Sequence, residues 1–246
     1  MNKPIIGIVG KPSIETDMWH YMNIVDDIRY ALVKNGALVI GILPQEQKLD
    51  FKLDDEKDTS VLSSEEIENL KDIVSRVDGV ILEGGLVSNK YEEVIAKICL
   101  AKDIPIIGIC SGFNNLIKAL DGNVHIDETM FHNQFGSKYA HNVLLEKDSK
   151  LYKILKKEVI TVNSIHTYIA TESDIKGYKI VARCPVDNTV EAIEFDNKRF
   201  AIGIKWHPEL MEEMNPVFEE FIKKCGEKSW SIKAIKLELD VLSGNK

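Results

Sequence analysis

Pro105-Ile106-Ile107-Gly108-Ile109-Cys110-Ser111-Gly112-Phe113-Asn114 is the most informative stretch of this chain. An apolar, β-branched run ends at Cys110, with one glycine two residues before the cysteine and another two residues after it. Apolar residues then recur at helical spacing up to Gly122, namely Phe113, Leu116, Ile117 and Leu120. The pattern predicts a buried strand, a sharp turn at the cysteine and an amphipathic helix.

A thiol at such a turn lies at the carboxyl end of a buried strand, where open α/β sheets bind their ligands. It also lies at a helix N-terminus, whose dipole favours thiolate over thiol. Both conditions favour a nucleophile at Cys110, similar to the nucleophile elbow of serine hydrolases. The alternative is a small apolar residue that ends a core strand, because unpaired cysteines are often buried. This stretch alone leaves both interpretations open.

A second motif, Phe200-Ala201-Ile202-Gly203-Ile204-Lys205-Trp206-His207-Pro208-Glu209, runs from an apolar strand into a His-Pro-Glu turn. The proline makes this turn rigid, so that His207 and Glu209 can project to the same side. A cysteine nucleophile needs a base, and the base needs a carboxylate that fixes its tautomer and orientation. The two motifs together predict Cys110, His207 and Glu209 as the catalytic residues.

A third motif, Val80-Ile81-Leu82-Glu83-Gly84-Gly85, is another apolar strand, here followed by paired glycines. The three motifs, in their order along the chain, resemble those of the class I glutamine amidotransferase-like hydrolases. The resemblance is strongest to the γ-glutamyl-γ-aminobutyrate hydrolase group, peptidase family C26. The likeness extends from Lys3 to about Phe221. It implies a flavodoxin-like α/β fold, a single domain with a doubly wound, mostly parallel sheet flanked by helices and a small antiparallel edge layer. The alternation of strands and helices up to the cysteine independently favours a doubly wound sheet.

The resemblance also implies roles for residues next to the three motifs. The backbone amides of Gly85 and Ser111 would form the oxyanion hole, although paired glycines are also typical of a plain turn. The residues implied to bind the substrate are Gly84, Asn114, Asn163, Ser164 and His166. For His166 the alternative is a merely buried polar histidine.

The chain departs from the family pattern beside these residues. Where members often have an acidic residue after the glycine pair, this chain has Leu86-Val87. Ser111 and Asn114 replace the usual arginine and glutamine after the cysteine, and Thr167-Tyr168 replaces histidine and glutamine. The resemblance therefore carries over the chemistry more directly than the identity of the substrate.

Composition excludes several classes of partner. The 246 residues (27.8 kDa) carry a formal net charge of −8 and no basic stripe, which argues against binding to nucleic acid or to an anionic membrane. No secretory signal and no long apolar segment is found, so a cytoplasmic location is expected. Residues 1–226 are expected to form one domain, and residues 227–246 a helical C-terminal extension beyond it.

The remaining cysteines and histidines show no metal-ligand spacing, so neither a metal nor another cofactor is expected. Ordinary packing in the core is predicted for three cysteines, Cys99, Cys184 and Cys225. Surface positions or hydrogen bonding are predicted for four histidines, His20, His125, His132 and His141.

Local patterns predict a loop over residues 11–19, a helix over 22–35 and a long loop over 123–137. Later short strands, over 178–184, 190–195 and 200–204, are predicted to form an antiparallel edge layer that leads to the His-Pro-Glu turn.

Three functions agree with these motifs. The first is hydrolysis of a γ-glutamyl amide through a thioester on Cys110, which releases glutamate and an amine. The second is a glutaminase subunit that passes ammonia to a separate synthase. The third is a non-catalytic binding or thiol-sensor protein, which would have no need of Cys110, His207 and Glu209 together. A homodimer is compatible with all three.

Overall fold

A computed structural model describes residues 3–14, 19–45, 61–85 and 89–227. The strands are β1 (Ile5–Val9), β2 (Lys11–Ile14), β3 (His20–Asn23), β4 (Leu38–Ile42), β5 (Gly79–Leu82), β6 (Ile106–Ile109), β7 (His125–Ile126), β8 (His141–Leu145), β9 (Val159–Val162), β10 (Tyr168–Ile169), β11 (Lys179–Arg183), β12 (Val190–Glu194) and β13 (Ala201–Ile204). The α-helices are α1 (Asp26–Lys34), α2 (Ser64–Ser75), α3 (Lys90–Lys102), α4 (Ser111–Ala119), α5 (Lys150–Leu155) and α6 (215–227).

Nine strands form one sheet in the order β4-β1-β5-β6-β13-β12-β11-β8-β9. The strands from β4 to β13 are parallel to one another, and their order is that of a flavodoxin-like sheet. From β13 onward each neighbour is antiparallel. The doubly wound fold predicted from the sequence is thus confirmed.

Alternate residues of the parallel strands contribute to two separate apolar cores. Ile6, Ile81 and Ile107 pack on the face covered by α1 and α6. Val80 and Ile106 pack on the opposite face, which α2, α3 and α4 cover. Strands buried on both faces explain the continuous β-branched runs of the sequence motifs. The carboxyl ends of β5, β6 and β13 are brought side by side, and there the three motifs end.

Local predictions were wrong in three places. In the predicted loop over 11–19, residues 11–14 form β2, and the helix predicted over 22–35 begins only at Asp26, because Met22 and Asn23 belong to β3, the partner of β2. The carboxylate of Glu83 accepts the N–H of Val25 at 2.8 Å, which satisfies a backbone group just before the helix start. The predicted loop over 123–137 contains β7, which pairs with β10.

The three predicted strands β11, β12 and β13 pair antiparallel as expected, but they belong to the main sheet and not to a layer of their own. Strand β13, which leads to the His-Pro-Glu turn, is a parallel neighbour of the cysteine strand β6. The antiparallel strands β12, β11, β8 and β9 continue the same sheet beyond it. The sequence pattern of short strands and turns does not distinguish these arrangements, because β13 is buried on both faces whichever way its neighbour runs.

Cys99 and Cys225 are fully buried in the apolar cores, which agrees with the predicted packing role. Cys184 is also buried, but its thiol lies beside His132 and Asp187. None of the helices in the described ranges has both the length and the apolar content needed to cross a bilayer. The C-terminal extension from residue 228 onward and Leu86-Val87 lie outside the described residues.

Candidate active site

Cys110 lies in a strained turn between β6 and α4. Its backbone has φ 52° and ψ −102°, a conformation that a non-glycine residue adopts only where the surroundings enforce it. The turn also requires the glycine at 112, because a Cβ there would lie 2.1 Å from the carbonyl oxygen of Leu82 on the neighbouring strand. These features confirm the sharp strand-turn-helix geometry expected from the sequence.

The turn after β13 brings His207 and Glu209 together. Nδ1 of His207 donates to Oε1 of Glu209 at 2.7 Å, with Pro208 between them as the first residue of a 3₁₀ turn. The Glu209 side chain is 2% exposed, and the imidazole is 16% exposed. On its other side the imidazole is in hydrogen-bonding contact with Cys110. The three predicted catalytic residues therefore form one chain of contacts.

Electrostatics favour a charged pair. Burial raises the pKa of the Cys110 thiol, but the hydrogen bond with His207 and the nearby charges of His207 and Lys205 outweigh it, so the pKa lies below its ordinary value. Burial lowers the pKa of His207, but the contacts with Cys110 and Glu209 raise it to about 10. Both shifts act toward a thiolate beside an imidazolium.

Asn163 holds the backbone of His207. Its Nδ2 donates to the carbonyl oxygen of His207 at 2.9 Å, and its Oδ1 accepts the N–H of His207 at 2.8 Å. Both polar atoms of this predicted substrate ligand are therefore engaged with the residue that carries the candidate base.

Gly84, the first residue of the glycine pair after β5, lies against His207 and Cys110. A Cβ on Gly84 would lie 2.6 Å from Cε1 of His207 and 3.4 Å from Cβ of Cys110, so only glycine fits between them. Gly85 has φ +150°, which glycine adopts at little cost. Of the predicted oxyanion residues, Ser111 is the first residue of α4 and follows Cys110 directly, and Gly85 follows Gly84.

A buried ion pair lies against Gly85 and Ser111. Nζ of Lys11 donates to Oε1 and Oε2 of Glu92 at 2.8 and 2.7 Å, and to Oγ of Ser111 at 3.2 Å. The lysine stem also lies against Gly85, because a Cβ there would be 2.8 Å from Cδ of Lys11. Sequence reasoning missed this pair, although a lysine directly after a buried strand, at the start of a loop next to the site, is a usable signal.

Lys205 is a second buried cation that sequence reasoning missed. Its Nζ donates to Oδ1 of Asn114 at 2.7 Å and lies 5.3 Å from the centroid of the Phe113 ring. Asn114, predicted to bind substrate, is therefore buried against this lysine on the first turn of α4. The signal in the sequence was a lysine directly after an apolar strand, because a charged side chain is rarely buried without a partner.

Glu83 is a further buried carboxyl group beside the predicted catalytic residues. It is 1% exposed, and burial raises its pKa to about 7, although the N–H of Val25 and the charge of Lys11 act in the opposite direction. An acidic residue directly after a wholly apolar strand marked this position in the sequence.

The Ser164–His166 segment covers the thiol. Sγ of Cys110 lies 3.9 Å from the carbonyl oxygen of Ile165. Oγ of Ser164 donates to the carbonyl oxygen of His132 at 2.7 Å, and the rings of His166 and His132 stack at a centroid distance of 4.9 Å. Burial holds the pKa of His166 well below its ordinary value, so this ring is neutral. The predicted substrate residues Ser164 and His166 thus belong to a packed wall.

Comparison with known proteins identifies the family. Residues 87–209, half of the chain, match the Peptidase C26 family model. The chain belongs to the peptidase C26 family. The matched segment ends at Glu209 and contains Cys110 and His207, so two of the three motifs on which the resemblance rested lie within it, and the motif at residues 80–85 precedes it. The family prediction is confirmed.

Curated relatives of the chain include CTP synthases. The chain is 25% identical to a CTP synthase of Chlamydia caviae over 256 aligned residues, which cover 90% of this chain and 44% of the synthase. It is 28% identical to a CTP synthase of Bacteroides fragilis over 203 residues, which cover 68% of this chain and 38% of that protein. The chain therefore spans less than half the length of these relatives.

Solved structures share the fold. A protein described as a GMP synthase subunit, from Thermoplasma acidophilum, gives a TM-score of 0.65 at 15% identity, covering 95% of this chain and 99% of that one. The glutaminase domain of Trypanosoma brucei CTPS with bound acivicin gives 0.65 at 17% identity, covering 91% of this chain and 94% of that one. The family match supports a hydrolase that acts on C–N amide bonds, and the solved structures show the shared fold alone.

Proposed function

We propose that this protein hydrolyses a γ-glutamyl amide through a thioester on Cys110. The observation that carries the proposal is the strained Cys110 turn in contact with His207, which in turn bonds Glu209 at 2.7 Å. A binding module would gain nothing from a strained cysteine whose pKa is lowered by a histidine. The family and its glutaminase relatives support the same class of reaction.

In the acylation step the Cys110 thiolate attacks the γ-carbonyl carbon of the substrate. The carbonyl electron pair moves onto oxygen, and the amides of Gly85 and Ser111 stabilise this oxyanion. When the C–N bond breaks, the His207 imidazolium gives its proton to the leaving amine. The products are the thioester, a neutral amine and neutral His207, whose tautomer Glu209 holds.

In the second step His207 acts as general base. It takes a proton from water, the resulting hydroxide attacks the thioester carbonyl, and the Cys110 thiolate leaves as the C–S bond breaks. Free glutamate and the original ion pair of thiolate and imidazolium are restored. The remaining predicted substrate residues, Gly84, Asn114, Asn163, Ser164 and His166, act in this proposal by shaping the pocket and positioning His207.

A glutaminase role is the second candidate, and the CTP synthase relatives favour it. Glutamine is the smallest γ-glutamyl amide, so the same chemistry would release ammonia instead of a larger amine. In that case the ammonia would pass to a synthase, as the names of these relatives suggest. The two candidates differ only in the leaving amine and the partner.

The test is intact-protein mass spectrometry of the chain mixed with glutamine, γ-glutamyl-γ-aminobutyrate and other γ-glutamyl amides, with released glutamate assayed in parallel. We expect glutamate release and an acyl adduct on Cys110 in the wild type, and neither in Cys110→Ala. Cys184→Ala is the matched control, because it removes another buried thiol away from the turn. Preference for glutamine would favour the glutaminase role, and preference for a larger amide the hydrolase role.

Two results would overturn the proposal. Equal glutamate release by Cys110→Ala would exclude the thioester. Absence of release with every amide, in a folded wild type and also after addition of a cell extract that could contain a synthase, would favour the non-catalytic alternative.

A further inference from the structure

Three buried donor atoms converge behind the wall that covers Cys110. They are Nδ1 of His132, Nε2 of His141 and Oε1 of Glu191, and they come from the 123–137 segment, β8 and β12. The two histidine nitrogens are 3.2 Å apart, and the carboxylate oxygen lies 3.4 and 3.7 Å from them. His132 and Glu191 have no exposed surface, and His141 is 6% exposed.

Hydrogen bonds on the far sides of the two rings fix their tautomers. Nε2 of His132 lies 2.8 Å from the carboxylate of Asp187, and Nδ1 of His141 lies 3.1 Å from the carbonyl oxygen of Asn142. Both partners accept hydrogen bonds, so the ring protons lie on these outer nitrogens. In neutral rings the two inner nitrogens therefore present lone pairs to each other.

Glu191 brings a carboxyl group to the same point without gaining a hydrogen bond, and burial there raises its pKa to about 8. Neither of its carboxylate oxygens has a hydrogen-bond partner among the described residues, although both are buried. A buried carboxylate without a partner is costly, and so are facing lone pairs. A cation between the three atoms would remove both costs.

The spacing fits a small metal ion. A triangle with sides of 3.2, 3.4 and 3.7 Å has a centre about 2.0 Å from each corner, close to the usual length of about 2.0–2.1 Å for zinc–histidine bonds. The hydrogen bond from His132 to Asp187 is the outer support that metal-bound histidines commonly have. The second oxygen of Glu191 is available as a fourth donor.

We propose that His132, His141 and Glu191 bind a divalent transition-metal cation, of which Zn²⁺ fits the donor set best. Two imidazoles and a carboxylate are typical zinc ligands, whereas Mg²⁺ and Ca²⁺ prefer oxygen. Sequence reasoning did not find this site, because its ligands are far apart in the chain and no short motif contains them. The proposal stands on these contacts and is independent of the proposed reaction.

A second set of donors shares His132 but fits less well. Nε2 of His132 lies near the carboxylate of Asp187 and Sγ of Cys184. This nitrogen is already at hydrogen-bond distance from Asp187, and burial raises the pKa of Cys184 to about 11, which disfavours the thiolate that a metal needs. The inner triangle is therefore the site proposed.

A metal at this site would hold the Ser164–His166 segment, which covers Cys110, against the sheet. The carbonyl oxygen of His132 accepts hydrogen bonds from Oγ of Ser164 and the N–H of His166. A metal on the His132 ring would fix this segment against β8 and β12. We therefore assign the cation a structural role.

The test measures zinc in tag-free protein that has been saturated with Zn²⁺ and then dialysed against metal-free buffer, by inductively coupled plasma mass spectrometry. We expect about one zinc per chain in the wild type, and at least about tenfold less in His141→Gln and in Glu191→Gln, because each removes one ligand. His125→Gln is the matched control, since its ring is exposed and outside the triangle. Circular dichroism checks that the variants are folded.

Two further variants locate the metal. Cys110→Ala and Cys184→Ala should keep the zinc, because neither thiol belongs to the triangle. The wild-type melting temperature should also rise with zinc concentration, and that of Glu191→Gln should not. A wild type that retains no zinc would overturn the proposal and would show that His132, His141 and Glu191 share only a proton. Loss of zinc in either cysteine variant, or its retention in both ligand variants, would overturn the proposed site.

Discussion

Asn163 bonds both backbone polar groups of His207, accepting the N–H at 2.8 Å and donating to the carbonyl at 2.9 Å. His207 is also the residue before the 3₁₀ turn that carries Glu209. The direction of the imidazole is therefore fixed from two sides, through its backbone by Asn163 and through Nδ1 by Glu209. The preference for a charged pair with Cys110 depends on this fixed direction.

We predict that Asn163→Ala lowers kcat by about 10- to 100-fold, since small displacements of a catalytic group have effects of this size. It should also lower the free energy of unfolding by about 1–3 kcal/mol, because two backbone groups lose their partner. The pH profile of Cys110 alkylation by iodoacetamide separates the two effects. A positioning role requires a higher thiol pKa in the folded variant.

Asn142→Ala is the control for this variant. Its side chain accepts a hydrogen bond from Thr161 on the exposed side of β8 and does not touch His207. An Asn163→Ala protein with the wild-type alkylation profile and wild-type kcat would show that the two backbone hydrogen bonds are not needed for the geometry of His207.

The second prediction concerns pH. The pKa of Cys110 is lowered and that of His207 is raised to about 10, so the pair is charged between these two values. Alkylation of Cys110 should stay fast as the pH falls below the ordinary thiol range, and should slow only when the thiolate takes up a proton. Turnover should fall again as the pH rises through about 10, because the imidazolium then loses the proton it donates to the amine.

His207→Gln provides the comparison. Without the imidazolium, burial is the main influence left on Cys110, so its pKa should rise and alkylation at pH 7 should slow by at least about tenfold. Stopped-flow alkylation between pH 5 and 10 measures both proteins. The same profile in wild type and variant would mean that His207 does not control the thiol.

Much of this site could be predicted from the sequence, because its residues follow buried strands. Cys110, His207 and Gly84 each come directly after or within a few residues of an apolar, β-branched run, and parallel strands place such residues at one edge of the sheet. The fold was predictable for the same reason. Local pattern and global fold agree in this half of the chain.

The parts that could not be predicted depend on contacts between distant residues. Lys11 with Glu92, and His132 with His141 and Glu191, have no common motif, and each side chain alone looks like an ordinary surface residue. The hairpin of β2 and β3 was missed because the apolar residues near α1 continue a helical period into it. Burial of charge, in contrast with burial of apolar surface, leaves no periodic signal.

The third prediction concerns the space between Gly84, His207 and Cys110. Gly84→Ala places a Cβ 2.6 Å from Cε1 of His207, which real contacts do not allow, so the imidazole must move. We expect kcat to fall by about 100-fold while the protein remains folded. Gly226→Ala is the control, because a Cβ there meets nothing within 4 Å. Steady-state kinetics measure kcat of both variants, and thermal melts show whether they are folded. An unchanged kcat in Gly84→Ala would show that the imidazole is not confined between Gly84 and Cys110.

The last prediction concerns the ion pair of Lys11 and Glu92, whose side chains are 7% and 0% exposed. Lys11→Met leaves the Glu92 carboxylate buried without its cation, which should lower the free energy of unfolding by about 3–5 kcal/mol. In the double variant with Glu92→Gln the uncompensated charge is absent, and the glutamine can still bond the N–H of Asn89 as the carboxylate does. We therefore expect the double variant to be more stable than Lys11→Met alone. Urea unfolding of the four proteins of this double-mutant cycle measures the coupling.

Lys71→Met is the matched control, because Lys71 pairs with Glu68 on the exposed face of α2 and such pairs contribute little. A loss of stability in Lys11→Met no larger than that in the control would show that the pair is solvated in solution. A double variant less stable than Lys11→Met would show that the pair acts by a direct attraction that the two neutral side chains do not replace. Since Lys11 also bonds Ser111 and lies against Gly85, kcat should fall in Lys11→Met and should not recover in the double variant.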